Sequence, residues 1–227
     1  MEGHLSITFG NVPLRLLPEH AVWNSESGIV WIADFHIGKE QTFRRSGFPV
    51  PDLLSDDLAR LSRILDRTSA RQLVILGDLL HSRSSLSPKL SQEFASWRER
   101  HAAVEMLLVR GNHDFHAGDP PSEWQLQCVD APSLSGELIL THYPLFDAQS
   151  FNLAGHLHPK FRMRSRAEDL KLPCFLMRRQ TLVLPAYGQF IDHGTIVPDV
   201  EDDIYVVAEG VVLQAKRGGV KPGRLRR

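Results

Sequence analysis

Residues 28–36 read Gly28-Ile29-Val30-Trp31-Ile32-Ala33-Asp34-Phe35-His36. An apolar run that is rich in β-branched residues and ends at an acidic residue predicts a buried strand. Two later segments have the same form. The run Leu73-Val74-Ile75-Leu76 precedes Gly77-Asp78, and residues 104–109 precede Gly111-Asn112-His113-Asp114. The sequence therefore predicts three buried strands, each followed closely by polar residues.

Two amphipathic helices are predicted between these strands. Apolar residues recur at helical spacing in Leu54, Leu58, Leu61 and Leu65, and the pattern returns in residues 90–101. Strands that alternate with helices through short links indicate an α/β layer architecture. After about residue 125 strands predominate, at residues 138–141, 175–184, 204–208 and 211–215, and Glu209-Gly210 suits a two-residue hairpin turn between the last two.

Composition is that of an ordinary globular protein. The chain has 227 residues, of which 42% are hydrophobic and 23% charged, enough for a proper core. No apolar run is long enough to span a bilayer, and the start lacks a secretory pattern, so we expect a cytoplasmic protein with no membrane association. Cys128 and Cys174 are too few for a disulfide framework and are expected to be reduced thiols.

Metal-ligating residue types collect at the ends of the predicted strands. Asp34 and His36 follow the first strand, and Asp78 follows the second. Ligands of open α/β sheets bind at the carboxyl ends of the strands, so these side chains are expected to meet. A set of carboxylates, imidazoles and one amide suits divalent Mn, Fe or Zn, and the absence of thiolates argues against a structural zinc site. The strand-end residues of these types are Asp34, His36, Asp78, Asn112, His113, Asp114, His142, His156 and His158.

In this order, Asp34-x-His36, Gly77-Asp78, Gly111-Asn112-His113-Asp114, His142 and Gly155-His156-x-His158 resemble the motifs of the calcineurin-like metallophosphoesterases. The resemblance implies an α/β fold, a two-sheet β-sandwich flanked by helices, with a dinuclear metal site at the strand ends. Residues 33–40, 42–45 and 49–51 are also similar to the PdeM subfamily, small bacterial enzymes associated with a DNA ligase and a helicase in a damage response.

The resemblance also implies a role for each motif residue. Asp34, His36, Asp78 and His158 would hold a first divalent ion, and Asp78, Asn112, His142 and His156 a second, with Mn expected and Fe or Zn as alternatives. A hydroxide bridging the two ions would attack phosphorus in line with the leaving oxygen. By the same analogy His113 would protonate the leaving group and Asp114 would orient its ring. The alternative for His113 is a packing residue beside the ligands.

Several further residues are candidates for binding the substrate. Lys39, Arg44 and Arg45 follow the first metal motif and could meet phosphates, or form a solvated charged surface. His81 could touch a metal ligand or the substrate, or be a simple loop residue. Lys160 and Arg162 begin a run of alternating cations directly after the last motif, which suits contact with a nucleic-acid backbone or a solvated strand face.

These observations predict a metal-dependent phosphodiesterase or nuclease that acts on DNA in repair, with DNA ligase or helicase proteins as partners. One alternative is a phosphodiesterase or monoesterase acting on small or cyclic nucleotides or on lipid precursors. Another is a non-catalytic docking scaffold of the same fold, although every ligand position is filled. The sequence leaves the oligomeric state open. We expect residues 1–215 to form one domain and residues 216–227 to form a flexible basic tail.

The tail generates the first prediction. It carries six of the 26 basic residues and no acidic one, so the rest of the chain is strongly acidic. If the tail recruits nucleic acid, truncation after Ala215 weakens DNA binding and flattens its salt dependence, whose slope is about −0.9 per phosphate contact on duplex DNA. Hydrolysis of a small diester stays unchanged. Equal DNA affinity and salt slope in both proteins would contradict recruitment by the tail and leave a purely solubilising terminus.

Overall fold

The computed structural model describes residues 2–45, 47, 50–51, 53–147, 149–164, 169–189, 191 and 194–216. Its first sheet contains seven strands within these residues, arranged in chain order. The first four form an antiparallel meander, and the fourth to seventh are parallel. They are β1 (Leu5–Phe9), β2 (Val12–Leu17), β3 (Ala21–Asn24), β4 (Ile29–Ile32), β5 (Gln72–Leu76), β6 (Glu105–Val109) and β7 (Gln127–Val129).

Helices lie in the crossovers between the parallel strands. They are α1 (Lys39–Arg45), α2 (Leu54–Thr68), α3 (Pro88–Arg100) and α4 (Asn112–Ala117), with short 3-10 turns at Arg83–Ser85 and Ser122–Trp124. Ser87 starts α3 by accepting a hydrogen bond from the Leu90 backbone amide, and Pro88 occupies the first helical position, where its missing N–H costs nothing.

The second sheet follows in the chain. Its strands are β8 (Ser133–Ser135), β9 (Leu138–Leu140), β10 (Asn152–Ala154), β11 (Lys160–Arg164), β12 (Asp169–Arg178), β13 (Thr181–Val183), β14 (Asp203–Ala208) and β15 (Val211–Lys216). The order is β15-β14-β12-β13-β10-β9-β8, and β11 extends a hairpin with β12. Strand β10 is parallel to β9 and to β13, whereas the other pairs are antiparallel.

Alternating side chains of the parallel strands separate two hydrophobic cores. Val30 and Ile32 pack with α2 and α3, where Leu61 and Trp97 are almost fully buried. Trp31, between them, faces the second sheet and packs with residues such as Phe175. Since successive side chains of a strand point to opposite faces, one apolar run can supply both cores.

The predicted α/β sandwich is confirmed, as are the two helices and the other strands expected after residue 28. The single strand expected at residues 175–184 is wrong, because β12 ends at Arg178 and β13 begins at Thr181, and the two strands pair antiparallel. Glu209 and Gly210 both have positive φ, as a tight hairpin turn between β14 and β15 requires. Strands β1 to β3, β7, β8 and β11 were not predicted. No helix among the described residues combines the length and apolar character needed to cross a membrane. Lys216, the first residue of the proposed tail, is the last residue of β15, and residues 217–227 lie outside the described residues.

Candidate metal centre

The predicted metal-ligating residues meet where strand ends of both sheets converge. Asp34 and Asp78 follow the parallel strands β4 and β5, so their loops are neighbours. His142 and His156 follow β9 and β10 of the second sheet, which are also parallel neighbours. The Gly155 amide donates to the His142 carbonyl at 3.1 Å, and the His156 amide donates to Asp34 Oδ2 at 2.9 Å, which joins the two sheets.

Several of these residues have a backbone conformation that residues other than glycine rarely adopt. The φ angles are 56° at Asp34, 53° at His36, 55° at Asp78, 70° at His156 and 44° at His158. Such conformations persist only where surrounding contacts enforce them, and they cluster at functional sites. Here the Asp34 amide donates to the Gly77 carbonyl at 3.1 Å, and the His36 amide to the Asp78 carbonyl at 2.8 Å.

Glycine at position 77 permits the closest approach in the site. Its φ is +82°, and a Cβ atom there would lie 2.2 Å from His142 Nδ1. Any side chain would therefore displace the imidazole ring of His142. The requirement explains why a glycine precedes Asp78 at the end of β5.

Three groups of ligand atoms form within this cluster among the described residues. One contains Asp34, His36 and His158, the second contains Asp78, His142 and His156, and the third contains His36, His81 and His113, each with its ligand atoms within 4.8 Å of one another. Asn112 joins the second group, with its Oδ1 3.1 Å from His142 Nε2. The first two groups each contain three of the four residues of one set that the motifs imply. Asp78 lies between them, 3.7 Å from His36 Nε2 and 3.3 Å from His142 Nε2.

The donor chemistry fits divalent metal ions. Asp34 Oδ1 is buried and accepts no hydrogen bond among the described residues, although His158 Nε2 lies 3.0 Å away. The Nδ1 nitrogen of His142 lies 2.9 Å from the Leu76 carbonyl, to which it can only donate. Its Nε2 lone pair can therefore face the cluster as a metal ligand, with Nδ1 oriented by the backbone.

Burial and charge act together on the ionisation of the cluster. Burial lowers the pKa of His36 to about 2, so its imidazole is neutral and able to coordinate a cation. Burial alone would raise the pKa of Asp78, but the hydrogen bond and charge of His142 lower it to about 2. The ionised carboxylate of Asp78, beside the neutral imidazole of His36, forms a site that attracts cations.

Asp114 has a different role from the one that the motifs implied. Its Oδ2 accepts hydrogen bonds from the backbone amides of Asp78 at 2.7 Å and Gly111 at 2.9 Å, and its Oδ1 accepts from Leu80 at 3.1 Å. The His113 ring instead places Nδ1 2.8 Å from the His81 carbonyl. The interpretation that Asp114 orients His113 is therefore wrong, because both of its oxygens hold the loop that carries Asp78.

His113 and His81 border the metal-ligating residues on the side of His36. Their rings stack with centroids 5.2 Å apart, and the His113 ring lies 4.8 Å from that of His36. With Nδ1 donating to the His81 carbonyl, His113 Nε2 lies on the opposite side of the ring. Both histidines are partly exposed, whereas His36 and Asp78 are buried, so they form the rim of the centre.

The cations expected to bind the substrate fall into two groups. Lys39 lines a small cavity with His36, and Lys160 lines a larger one with His158, so both lie beside the metal-ligating residues. Arg162 pairs with Asp169 across the β11–β12 hairpin, an ion pair internal to that hairpin. Arg44 donates to the Val50 carbonyl at 2.7 Å. The side chain of Arg45 lies outside the described residues.

Two residues at the site were not predicted from the sequence. Tyr143 is 52% exposed, and its ring lies 4.2 Å from that of His156. His20, in the turn after β2, reaches the cavity that contains His158. Its position depends on a strand meander that was not predicted. An aromatic residue directly after His142 was the available clue to Tyr143.

Comparison with known proteins identifies related folds. A family model described as calcineurin-like phosphoesterase matches residues 28–181. The chain is similar to the crystal structure of Pseudomonas putida nuclease MPE, with 34% identity and a TM-score of 0.82, over 92% of this chain and 100% of that one. Similarity to the E. coli phosphoesterase Yfce is weaker, with 16% identity and a TM-score of 0.40, over 82% and 97% of the two chains. No curated protein sequence matches the chain.

Substitution of Asp114 provides a test of its new role. In Asp114→Asn an amide group replaces one oxygen and leaves at least one buried backbone N–H without an acceptor, which costs about 1–3 kcal/mol of unfolding free energy. We expect a lower melting temperature and weaker Mn²⁺ binding, measured by calorimetry, with Asp66→Asn on α2 as the control. Unchanged Mn²⁺ affinity with reduced turnover would instead restore the role of orienting His113.

Proposed function

Because the chain belongs to the calcineurin-like phosphoesterase family, we propose that it is a metal-dependent phosphodiesterase that cleaves DNA. The observation that carries the proposal is the pair of ligand groups around Asp34 and Asp78. The similarity to the Pseudomonas nuclease supports a nucleic-acid substrate and is consistent with the PdeM resemblance. A docking scaffold would have no need of a complete ligand set in a strained backbone.

In this proposal Asp34, His36, Asp78 and His158 hold one divalent ion, and Asp78, Asn112, His142 and His156 hold the other. When bound, the two ions supply Lewis acidity toward the phosphate and lower the pKa of a water molecule. The chain positions both groups before any ligand arrives, because their backbones are held by hydrogen bonds within the loops. Preorganisation of this kind reduces the reorganisation required during reaction.

His113 acts on the leaving group. Its Nδ1 donates to the His81 carbonyl, which fixes the ring, and Nε2 then lies on the side away from that carbonyl. Nε2 of the protonated ring can donate a proton to the departing oxygen as its bond to phosphorus breaks. Lys39, beside His36, adds positive charge near the phosphate.

Exposed aromatic surface favours a polymer over a small metabolite. Tyr143 lies against His156, at the edge of the second ligand group, with half of its surface open to solvent. Aromatic side chains beside a cationic centre bind single-stranded nucleic acids by stacking on their bases. The proposal therefore includes a single-stranded or unpaired segment of DNA as substrate. It also includes manganese as the metal, a repair role with a ligase or helicase, and a cytoplasmic location, where the DNA of a bacterium lies.

Small phosphodiesters provide the direct test of this function. With Mn²⁺ we expect hydrolysis of methyl p-nitrophenyl phosphate and of single-stranded DNA, and near-complete loss of both activities in Asp78→Asn. His113→Ala should retain its metal, and its turnover of DNA should fall by roughly 10²–10⁴, the usual range for general acid–base catalysis. The loss should be smaller for the nitrophenyl ester, because nitrophenolate leaves without a proton.

Two results would contradict these assignments. Normal activity and two bound ions in Asp78→Asn would exclude the dinuclear centre. Loss of metal from His113→Ala would make His113 a ligand rather than a proton donor. Metal content, measured by elemental analysis of each purified variant, distinguishes the two cases.

Substitution of Tyr143 tests whether the substrate is a nucleic acid. Tyr143→Ala removes the stacking surface, and base–aromatic stacking contributes about 1–3 kcal/mol per base. The dissociation constant of a labelled single-stranded oligonucleotide, measured by fluorescence anisotropy, should rise roughly 5- to 150-fold. Tyr143→Phe keeps the ring and should bind as the wild type does. Equal affinity in all three proteins would argue against base stacking at this position.

A further inference from the structure

A cavity of about 330 Å³ adjoins the first ligand group. His158 forms part of its wall, so the cavity opens directly beside one of the proposed metal positions. A second cavity of about 260 Å³ is lined by residues that include Asn11, Glu26 and Glu137 and by none of the metal-ligating residues. Only the first of these two cavities is placed to receive a group attached to a phosphate at the metal centre.

The cavity beside His158 is walled mainly by rigid apolar surface. Pro159, Pro173 and Pro185 contribute three pyrrolidine rings, and Ile191 closes the apolar part. The walls are fixed by the second sheet, since the Cys174 amide donates to the Pro159 carbonyl at 3.0 Å. Flat apolar faces with restricted motion suit a planar, weakly polar group such as a nucleobase.

His20 supplies a polar contact at the base of this cavity. Its Nδ1 lies 2.8 Å from the Ala186 carbonyl and must carry the hydrogen, because a carbonyl only accepts. Burial lowers the pKa of His20 to about 4, so the ring is neutral and Nε2 remains a hydrogen-bond acceptor. His20 also has a φ of 67°, a conformation that non-glycine residues adopt mainly where surrounding structure enforces it.

Gln189 and Lys160 complete the lining. Gln189 is exposed, and its Nε2 donates to Asp57 Oδ1 at 3.1 Å, which directs the amide group. Lys160, at the start of β11, brings a positive charge to the same cavity. Apolar walls, a few directed polar groups and one cation match the parts of a nucleotide: a base, polar ring substituents and an adjoining phosphate.

We propose that the cavity between His158 and Lys160 is a subsite for the nucleoside of the nucleotide that carries the phosphate being cleaved. This inference rests on the proposed phosphodiesterase function and adds to it the recognition of one nucleoside on the side of the first ligand group. The subsite is separate from Tyr143, which lies beside the second group. Substrate would therefore be held on both sides of the reacting phosphorus.

Two diesters that release the same nitrophenolate isolate the nucleoside. Thymidine 5′-(p-nitrophenyl phosphate) carries a nucleoside, and methyl p-nitrophenyl phosphate carries only a methyl group. For the wild-type protein with Mn²⁺ we expect kcat/KM to be higher for the thymidine ester by about tenfold or more. A factor of this size is modest, because part of the free energy gained by burying a base offsets the cost of ordering the substrate. A ratio close to one would overturn the subsite.

Filling the cavity should abolish this preference. Pro173 lies on β12 and lines the cavity, so Pro173→Trp occupies space that the nucleoside needs. We expect the ratio of the two kcat/KM values to fall to near one. Leu170→Trp introduces the same indole on the same strand, at a residue that is 45% exposed and does not line the cavity, and should keep the wild-type ratio. An equal ratio in both variants would overturn the subsite.

Equilibrium binding separates failure of the subsite from failure of the proposed function. In Mn²⁺-loaded protein, Pro173→Trp should raise the dissociation constant of thymidine 5′-monophosphate by about tenfold, while that of inorganic phosphate changes by less than about twofold. If neither diester is hydrolysed but this difference persists, the function is wrong and the subsite stands. If both diesters are hydrolysed but nucleotide and phosphate affinities change together, the subsite is wrong and the function stands.

A second substitution of Pro173 tests the subsite if Pro173→Trp does not fold. If Pro173→Trp is unfolded by circular dichroism, Pro173→Leu fills part of the same space with a smaller side chain. It should still raise the dissociation constant of thymidine 5′-monophosphate by about threefold or more relative to inorganic phosphate. Unchanged relative affinity in a folded Pro173→Leu protein would overturn the subsite.

Discussion

The backbone hydrogen bonds that hold the loop after β5 are the constraint on which the metal centre depends. The buried carboxylate of Asp114 accepts from the amides of Asp78, Leu80 and Gly111, and it thereby fixes a left-handed residue in place. Burial raises the pKa of Asp114, but the amides of Gly111 and Leu80 act in the opposite direction and favour the ionised form. A strained backbone at Asp78 is thus stabilised by a carboxylate that accepts its hydrogen bonds from backbone amides.

A carboxylate that accepts a hydrogen bond from a backbone amide also joins the two sheets. Asp34 uses one carboxylate oxygen to accept from the His156 amide, and the other is left within the cluster beside His158. Its backbone carbonyl accepts from the Gly188 amide, on the segment that follows β13. One residue of the first sheet therefore contacts the loop after β10, which carries His156 and His158, and the segment after β13, which lines the cavity. Disruption at Asp34 is expected to affect the cavity wall as well as the metal centre.

The centre has a buried base and an open rim. Asp34, His36, Asp78 and His142 are buried, whereas His113, His156 and His158 are partly exposed. Cations held at the base would face a phosphate that enters from the rim. Tyr143 and the cavity beside His158 flank this rim at opposite ligand groups. The arrangement accommodates a chain that continues on both sides of the cleaved bond better than an enclosed metabolite.

The amino-acid sequence alone determined the order β4, α2, β5, α3, β6 and the ligand-bearing motifs, because buried apolar runs and strand-end polar residues are local signals. It did not determine what Asp114 binds, because the amides of Asp78 and Leu80, distant in the chain, converge on it only after the sheet forms. Nor did it reveal His20, since only the folded chain places this residue beside Ala186, far away in sequence. Tertiary structure decided these contacts because they depend on which strand ends become neighbours, and that pairing is set by packing between the two sheets.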